Sequence, residues 1–259
     1  MNRDQVRQYL EFYRDLGVRT VSLKAPLPPP PRGVRPPEPQ APPAKLAPPP
    51  EPARPVTASL LELPPIGPPD DSLERIIADI GDCRRCRLSE GRNKIVFGSG
   101  NGQSKLVFVG EGPGADEDAQ GLPFVGRAGQ LLTQMIEGTA RKEGIPLVRS
   151  DVYICNVVKC RPPENRNPLP DEMEICGQFL FRQLSVIRPK AICALGSIAV
   201  KAVLGTKEGV TRLRGRWHAW RDIPVMVSYH PSYLLRPYNQ DAKREAWEDL
   251  KKVFHFVYD

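Results

Sequence analysis

The chain has 259 residues, a formal net charge of +7, six cysteines and 30 prolines. That length allows one large or two small folded units, and the positive charge favours an anionic partner, nucleic acid above all, although a solvated basic surface carries the same signature. The first residues include Arg3 and Asp4 and form no apolar run, which argues against a secretion signal or a membrane span, so a cytoplasmic protein without a disulfide framework is expected.

Residues 1–24 hold Val6, Tyr9, Leu10 and Tyr13 at helical spacing, which predicts a short amphipathic helix able to dock on a protein partner. Residues 25–70 carry most of the prolines, in runs such as Pro28–Pro31 and Pro48–Pro50. So few large apolar residues remain there that an extended, polyproline-rich linker is expected, or a docking segment for a proline-reading domain. From Asp71 to Asp259 the composition is that of a globular domain.

Within it, four apolar runs read as buried strands: Lys105–Val109, Val152–Val157, Ala191–Leu195 and Pro224–Val227. Helical patterns at Gly129–Thr139 and Asp171–Ile187 separate the first three, Ser197–Leu204 follows the third, and Asp241–Phe256 closes the domain. The alternation predicts a three-layer α/β/α fold around a central four-stranded parallel sheet. In such a sheet the active site lies beyond the carboxyl ends of the strands. There the chain places Gly110-Glu111-Gly112-Pro113-Gly114, then Asn156 leading to Lys159-Cys160-Arg161, then His230-Pro231-Ser232.

Cys83 and Cys86 have the C-x2-C spacing that lets two thiolates of one turn reach one metal site, and Arg84 and Arg85 between them favour the thiolate form. Cys160 and Cys176 can supply a second pair, whereas Cys155 and Cys193 sit inside strand runs as plain buried thiols. Four thiolates suit zinc and an iron-sulfur cluster equally well.

The run from Gly110 to Asp118, the run Gly121-Leu122-Pro123-Phe124-Val125-Gly126-Arg127-Ala128-Gly129, the segment from Asn156 to Pro163 with Asn165-Arg166, and His230-Pro231-Ser232 together resemble the family 4, iron-sulfur uracil-DNA glycosylases. The resemblance spans roughly Cys83 to the C-terminal helix. It implies a monofunctional DNA-repair enzyme that acts on uracil-containing DNA, single- or double-stranded, and leaves an abasic site. It also implies a four-iron, four-sulfur cluster with a structural role, held by Cys83, Cys86, Cys160 and Cys176.

 A monomer without a membrane is the expected form.

The chemistry follows from what an N-glycosidic bond needs. The base leaves the stack, enters a pocket and departs as an anion while positive charge develops on the sugar. By the resemblance, Phe124 is the ring on which the extruded pyrimidine stacks, and Glu111 is the essential carboxylate that orients water or stabilises the cationic sugar. Gly112 stands where several relatives in the wider superfamily carry a water-activating aspartate, so Glu117 and Asp118 compete with Glu111 for that task; Glu117 is also expected to line the substrate site. Asn156 can donate to O4 and accept from N3–H of uracil, and His230 can hydrogen-bond O2 of the leaving base. Backbone amides of Gly112, Pro113's neighbours and Gly114 can hold the base or a phosphate. Arg161, Arg166, Arg214 and Ser232, with Lys159 and Arg212, are candidates for contacts to the DNA backbone, and Leu234 matches the position of an apolar wedge in related glycosylases. His218 and His255 read as surface residues. A noncatalytic iron-sulfur DNA-binding module is the alternative. A covalent trap for uracil-DNA is disfavoured, because no histidine lies between Cys160 and Pro170.

Overall fold

All four apolar runs are strands in the computed structural model, which describes residues 66–259 apart from Pro237. The expected N-terminal helix, and the proline-rich segment up to residue 65, lie outside the described residues. The strands are β1 (Ser99–Gly100), β2 (Leu106–Gly110), β3 (Tyr153–Asn156), β4 (Ala191–Leu195), β5 (Trp217–Trp220) and β6 (Ile223–Ser228). They form one sheet in the order β1-β3-β2-β4-β6-β5.

The central four strands, β3, β2, β4 and β6, run parallel, with Gly110 beside Asn156 and Leu195 beside Ser228. The expected four-stranded sheet is therefore corrected to a mixed sheet of six, because β1 and β5 add antiparallel edges. Neither edge carries a strong sequence signal. β1 has two residues, and β5 is a half-exposed Trp-His-Ala-Trp that reaches β6 through Arg221, at φ 54°, without a glycine in the turn.

Among the described residues eight helices fill the two outer layers: α1 (Leu73–Ile80), α2 (Ala115–Gln120), α3 (Arg127–Lys142), α4 (Pro170–Ile187), α5 (Gly196–Leu204), α6 (Val210–Leu213), α7 (Pro231–Leu234) and α8 (Gln240–Tyr258). Because successive strand residues face opposite ways, Val107 and Val109 join one apolar cluster with α1, α4 and α5, while Leu106 and Phe108 join a second with α3 and α8. In α4 the buried set Cys176, Phe179, Leu180, Gln183, Leu184 and Ile187 keeps helical spacing, so one face of that helix carries both core and a thiol. Among the described residues no helix is long and apolar enough to cross a membrane.

Candidate active site

The carboxyl ends of β2, β3 and β6 deliver their loops to one cleft of about 220 Å³, lined by Glu111, Gly112, Pro113, Gly114, Glu117, Phe124, Ala128, Asn156, Pro162, Asn165, Arg166, His230 and Ser232. The loop after β2 brings Glu111, whose carboxyl burial pushes above the usual range; no ion-pair partner is found for it among the described residues. Glycine is required just before it: a Cβ on Gly110 would stand 2.5 Å from the Phe124 ring and crowd the Asn156 side chain as well. Close packing of Phe124 against Asn156 therefore depends on Gly110.

Phe124 itself is 6% exposed and held at φ 53°. Such a backbone is costly for a bulky residue and persists only where its surroundings hold it. Here the restraints are visible. Glu117 takes the amides of Val125 and Gly126 at 2.9 Å each and that of Gly114 at 3.1 Å, while Arg149 donates to the Pro123 carbonyl at 2.8 Å. Glu117 thus clamps two loops of the cleft wall together. Asp118 is fully buried, taking the Asn93 amide at 2.8 Å and the Asn93 side chain at 2.6 Å, so it braces the loop and is not a solvated acid.

Asn156 ends β3 at 1% exposure, and its Oδ1 has no hydrogen-bond partner among the described residues. A buried amide oxygen without a donor costs about 1–3 kcal/mol, so its place in the cleft wall is that of an acceptor awaiting a ligand donor. Across from it, His230 lies 5.6 Å from Phe124, ring centre to ring centre. Burial pushes the imidazole down to about 4, against a weaker opposing pull from Glu117. Its Nδ1 accepts from the Ser232 amide at 3.2 Å and pairs with the Ser232 hydroxyl at 2.8 Å. With Nδ1 accepting, the neutral ring carries its proton on Nε2 and is a hydrogen-bond donor there.

The basic residues divide. Arg166 reaches the cleft while making a two-pronged pair with Glu172 at 2.7 and 2.8 Å, and Arg161 donates to Asn165 at 2.9 Å. These contacts hold a wall whose residues Glu164 and Asn165 both have positive φ. Arg214 is placed elsewhere: it pairs with Asp249 at 2.5 Å and with Glu245 at 3.5 Å, and does not line the cleft. In this structure the expected DNA contact serves as an internal anchor, since Asp249 also takes the Ser228 hydroxyl at 2.8 Å and so ties the end of β6 to α8. Arg212 also lies outside the cleft lining, exposed and 3.8 Å from Glu208. Lys159 is 2% exposed and cannot reach a phosphate. Leu234 is 1% exposed and belongs to the same apolar cluster as Phe124 and Leu131, so the expected wedge is corrected to a core residue, turned inward by α7; its neighbour Tyr233 is the exposed one.

Cys83, Cys86, Cys160 and Cys176 line a second, smaller pocket with Arg92, Phe179 and Ile175. Cys155 and Cys193 are fully buried in their strands, as expected. Donors are already trained on the pocket sulfurs: Arg92 lies 3.5 Å from Cys160 Sγ, Arg85 4.0 Å from Cys83 Sγ, and the Lys159 amide 3.2 Å from Cys176 Sγ. Burial pushes the Cys176 thiol up to about 12, and a bound cation is what would make such a thiolate favourable. Pro162, Asn165 and Ala128 in the cleft lie inside the motifs without a role read from them, and Arg149 beside the cleft and Arg92 at the thiol pocket carry no sequence signal.

With this geometry in view, the family model described as the Uracil DNA glycosylase superfamily matches residues 97–251. The chain belongs to that superfamily. Within it, the chain is 44% identical over 190 residues to the "Type-4 uracil-DNA glycosylase" of Thermotoga maritima, covering 73% of this chain and 96% of that protein. It is 41% identical over 191 residues to proteins of the same description from Archaeoglobus fulgidus and Sulfurisphaera tokodaii, covering 71% of this chain and 92% and 84% of theirs. These similarities place it with the type-4 members.

Proposed function

We propose that the protein hydrolyses the N-glycosidic bond of uracil in DNA and leaves an abasic site. The observation that carries this reading is the unpartnered Oδ1 of Asn156, buried in a cleft that also holds Phe124, Glu111 and His230. Uracil extruded from the stack lies on the Phe124 ring, donates N3–H to Asn156 Oδ1 and accepts at O4 from its amide nitrogen. Cytosine reverses both groups. As the bond from C1′ to N1 breaks, its electron pair leaves with the base, and neutral His230 donates from Nε2 to O2, where negative charge collects. The Glu111 carboxylate faces the cationic sugar and orients water, which adds its oxygen to C1′ and yields its proton towards Glu111. Arg166 and Ser232, at the cleft rim, are the side chains best suited to hold flanking phosphates.

The second pocket suits a four-iron, four-sulfur cluster held by Cys83, Cys86, Cys160 and Cys176. Each iron of such a cluster takes one thiolate, which fits four thiols standing around a cavity that already offers N–H donors to sulfur. When bound, the cluster supplies a cross-link between the segment before β1, the loop after β3 and α4, and no step of the hydrolysis passes through it. The test is incubation with a uracil-containing oligonucleotide followed by alkaline cleavage. Strand scission at uracil is expected, and none at cytosine in the same position; binding without scission overturns the catalytic reading in favour of a DNA-binding module.

A further inference from the structure

Behind the cleft, the core contains a charged residue whose ammonium favours the Cys176 thiolate but spends its hydrogen bonds elsewhere. Lys159 is 2% exposed, and its Nζ donates to the Asn156 carbonyl at 2.8 Å and to Gln183 Oε1 at 2.6 Å. Gln183 in turn donates from Nε2 to the Tyr153 hydroxyl at 3.0 Å and to the Phe97 carbonyl at 3.1 Å. Among the described residues no carboxylate joins this chain of contacts. As filler, a methionine would occupy the space without the desolvation penalty that a buried ammonium carries. What the lysine adds is a donor to one particular carbonyl.

That carbonyl lacks a neighbouring strand. β1 pairs only with Tyr153 and Ile154, so on that side the sheet stops before Asn156. On the other side β2 fixes the segment through the Val157 amide, which donates to the Gly110 carbonyl at 3.0 Å. The Lys159 ammonium supplies the restraint that the short edge strand leaves out. We propose that Lys159, held by Gln183 and Tyr153, is a positioning residue for base recognition, fixing the backbone from which the Asn156 amide reads the pyrimidine edge.

This inference rests on the proposed excision of uracil and deepens it. Lys159→Met and Gln183→Leu keep the side-chain volume and remove the relay, and Gln183→Glu keeps an oxygen towards Lys159, to which the Tyr153 hydroxyl can turn and donate. Leu184→Ala, a core truncation on the same helix, measures what lost stability does alone. The readouts are kcat and KM on uracil-DNA, the inhibition constant of free uracil, the thermal midpoint and the iron content.

Lys159→Met and Gln183→Leu are expected to weaken inhibition by free uracil about tenfold and to lower kcat by a similar factor, the scale of one lost hydrogen bond. Gln183→Glu is expected to stay within about threefold of wild type, and Leu184→Ala to lower the midpoint with uracil inhibition unchanged. If Lys159→Met does not fold, Gln183→Leu against Gln183→Glu decides. Unchanged uracil inhibition in Gln183→Leu, or an equal loss in Leu184→Ala, overturns the positioning role. A wild-type protein that excises nothing overturns the proposed function instead, a result separable from the variant comparison.

Discussion

The cleft and the thiol pocket lie on either side of one short segment, Asn156 to Cys160, and they are built in opposite ways. In the cleft, the decisive groups lack partners among the described residues: Asn156 Oδ1 has no donor, and the buried Glu111 carboxyl has no cation. Around the thiol pocket, donors already point at the sulfurs from Arg92, Arg85 and the Lys159 amide. A site for a transient ligand leaves its polar groups unsatisfied until the ligand arrives, and strain is stored in its walls. A site for a resident group has its surroundings arranged to keep it. The two differ accordingly in what damage to them should do.

The largest effect is expected at the thiol pocket. Replacing Cys83 or Cys176 by serine should cost folding before chemistry, because each ligand ties distant segments together. Wild-type protein is expected to be brown, with stoichiometric iron. Cys193→Ala, which touches only the core, should keep the iron and cost about 1 kcal/mol, the scale of a small cavity. Equal losses in Cys176→Ser and Cys193→Ala, measured by thermal unfolding and metal analysis, would remove the distinction between the pocket and the other thiols.

Damage to the cleft should instead spare the fold. Asn156→Ala is expected to lower uracil excision by about two to three orders of magnitude, since two buried pairings at about 1–3 kcal/mol each are lost. Asn156→Asp should lose most uracil activity and gain weak activity on cytosine, because a carboxylate accepts from the amino group. Single-turnover excision on matched oligonucleotides measures both. Wild-type rates in Asn156→Ala would remove the residue from base recognition.

Leu234→Ala tests a residue that matches the position of an apolar wedge in related glycosylases and that the fold places in the core. A loss of about 2–4 kcal/mol of stability is expected, with equal loss of activity on single- and double-stranded substrate. A selective loss on duplex would restore the wedge. What hides the burial of Leu234 from the sequence also explains what is legible there. Glu111, Asn156 and His230 stand at strand ends that hydrophobic runs mark clearly, so topology carries them to one place, whereas Phe124, beyond α2, is assigned through the family resemblance. Whether a residue on a short turn faces in or out depends on partners far away in the chain. α7 has four residues, too few for a readable apolar face. The same limit applies to Arg214, which finds Asp249 on α8, and to Lys159, which finds Gln183 on α4. A charge in the sequence announces itself, but its burial does not.

The smallest effect concerns the cost of keeping Glu111 ready. Burial raises its carboxyl above the unfolded value, with no cation to offset the penalty. A carboxyl whose folded pKa is raised contributes stability that is fully present below the unfolded value, about 4.3, and is lost as pH rises through the folded value. At pH 7 the ionised group is therefore a net burden on the fold, whereas near pH 4 it is neutral in both states. Glu111→Gln removes the charge and keeps the shape. Its thermal midpoint should exceed that of wild type at pH 7, and the difference should close on acidification towards pH 4. Activity should move the other way, falling at pH 7 and losing the acid limb of kcat/KM that wild-type Glu111 imposes, since His230 stays neutral until about 4. A midpoint that drops at pH 7 in Glu111→Gln would mean that the carboxylate has a stabilising partner, and the contrast between an unsatisfied cleft and a satisfied thiol pocket would fail at its central residue.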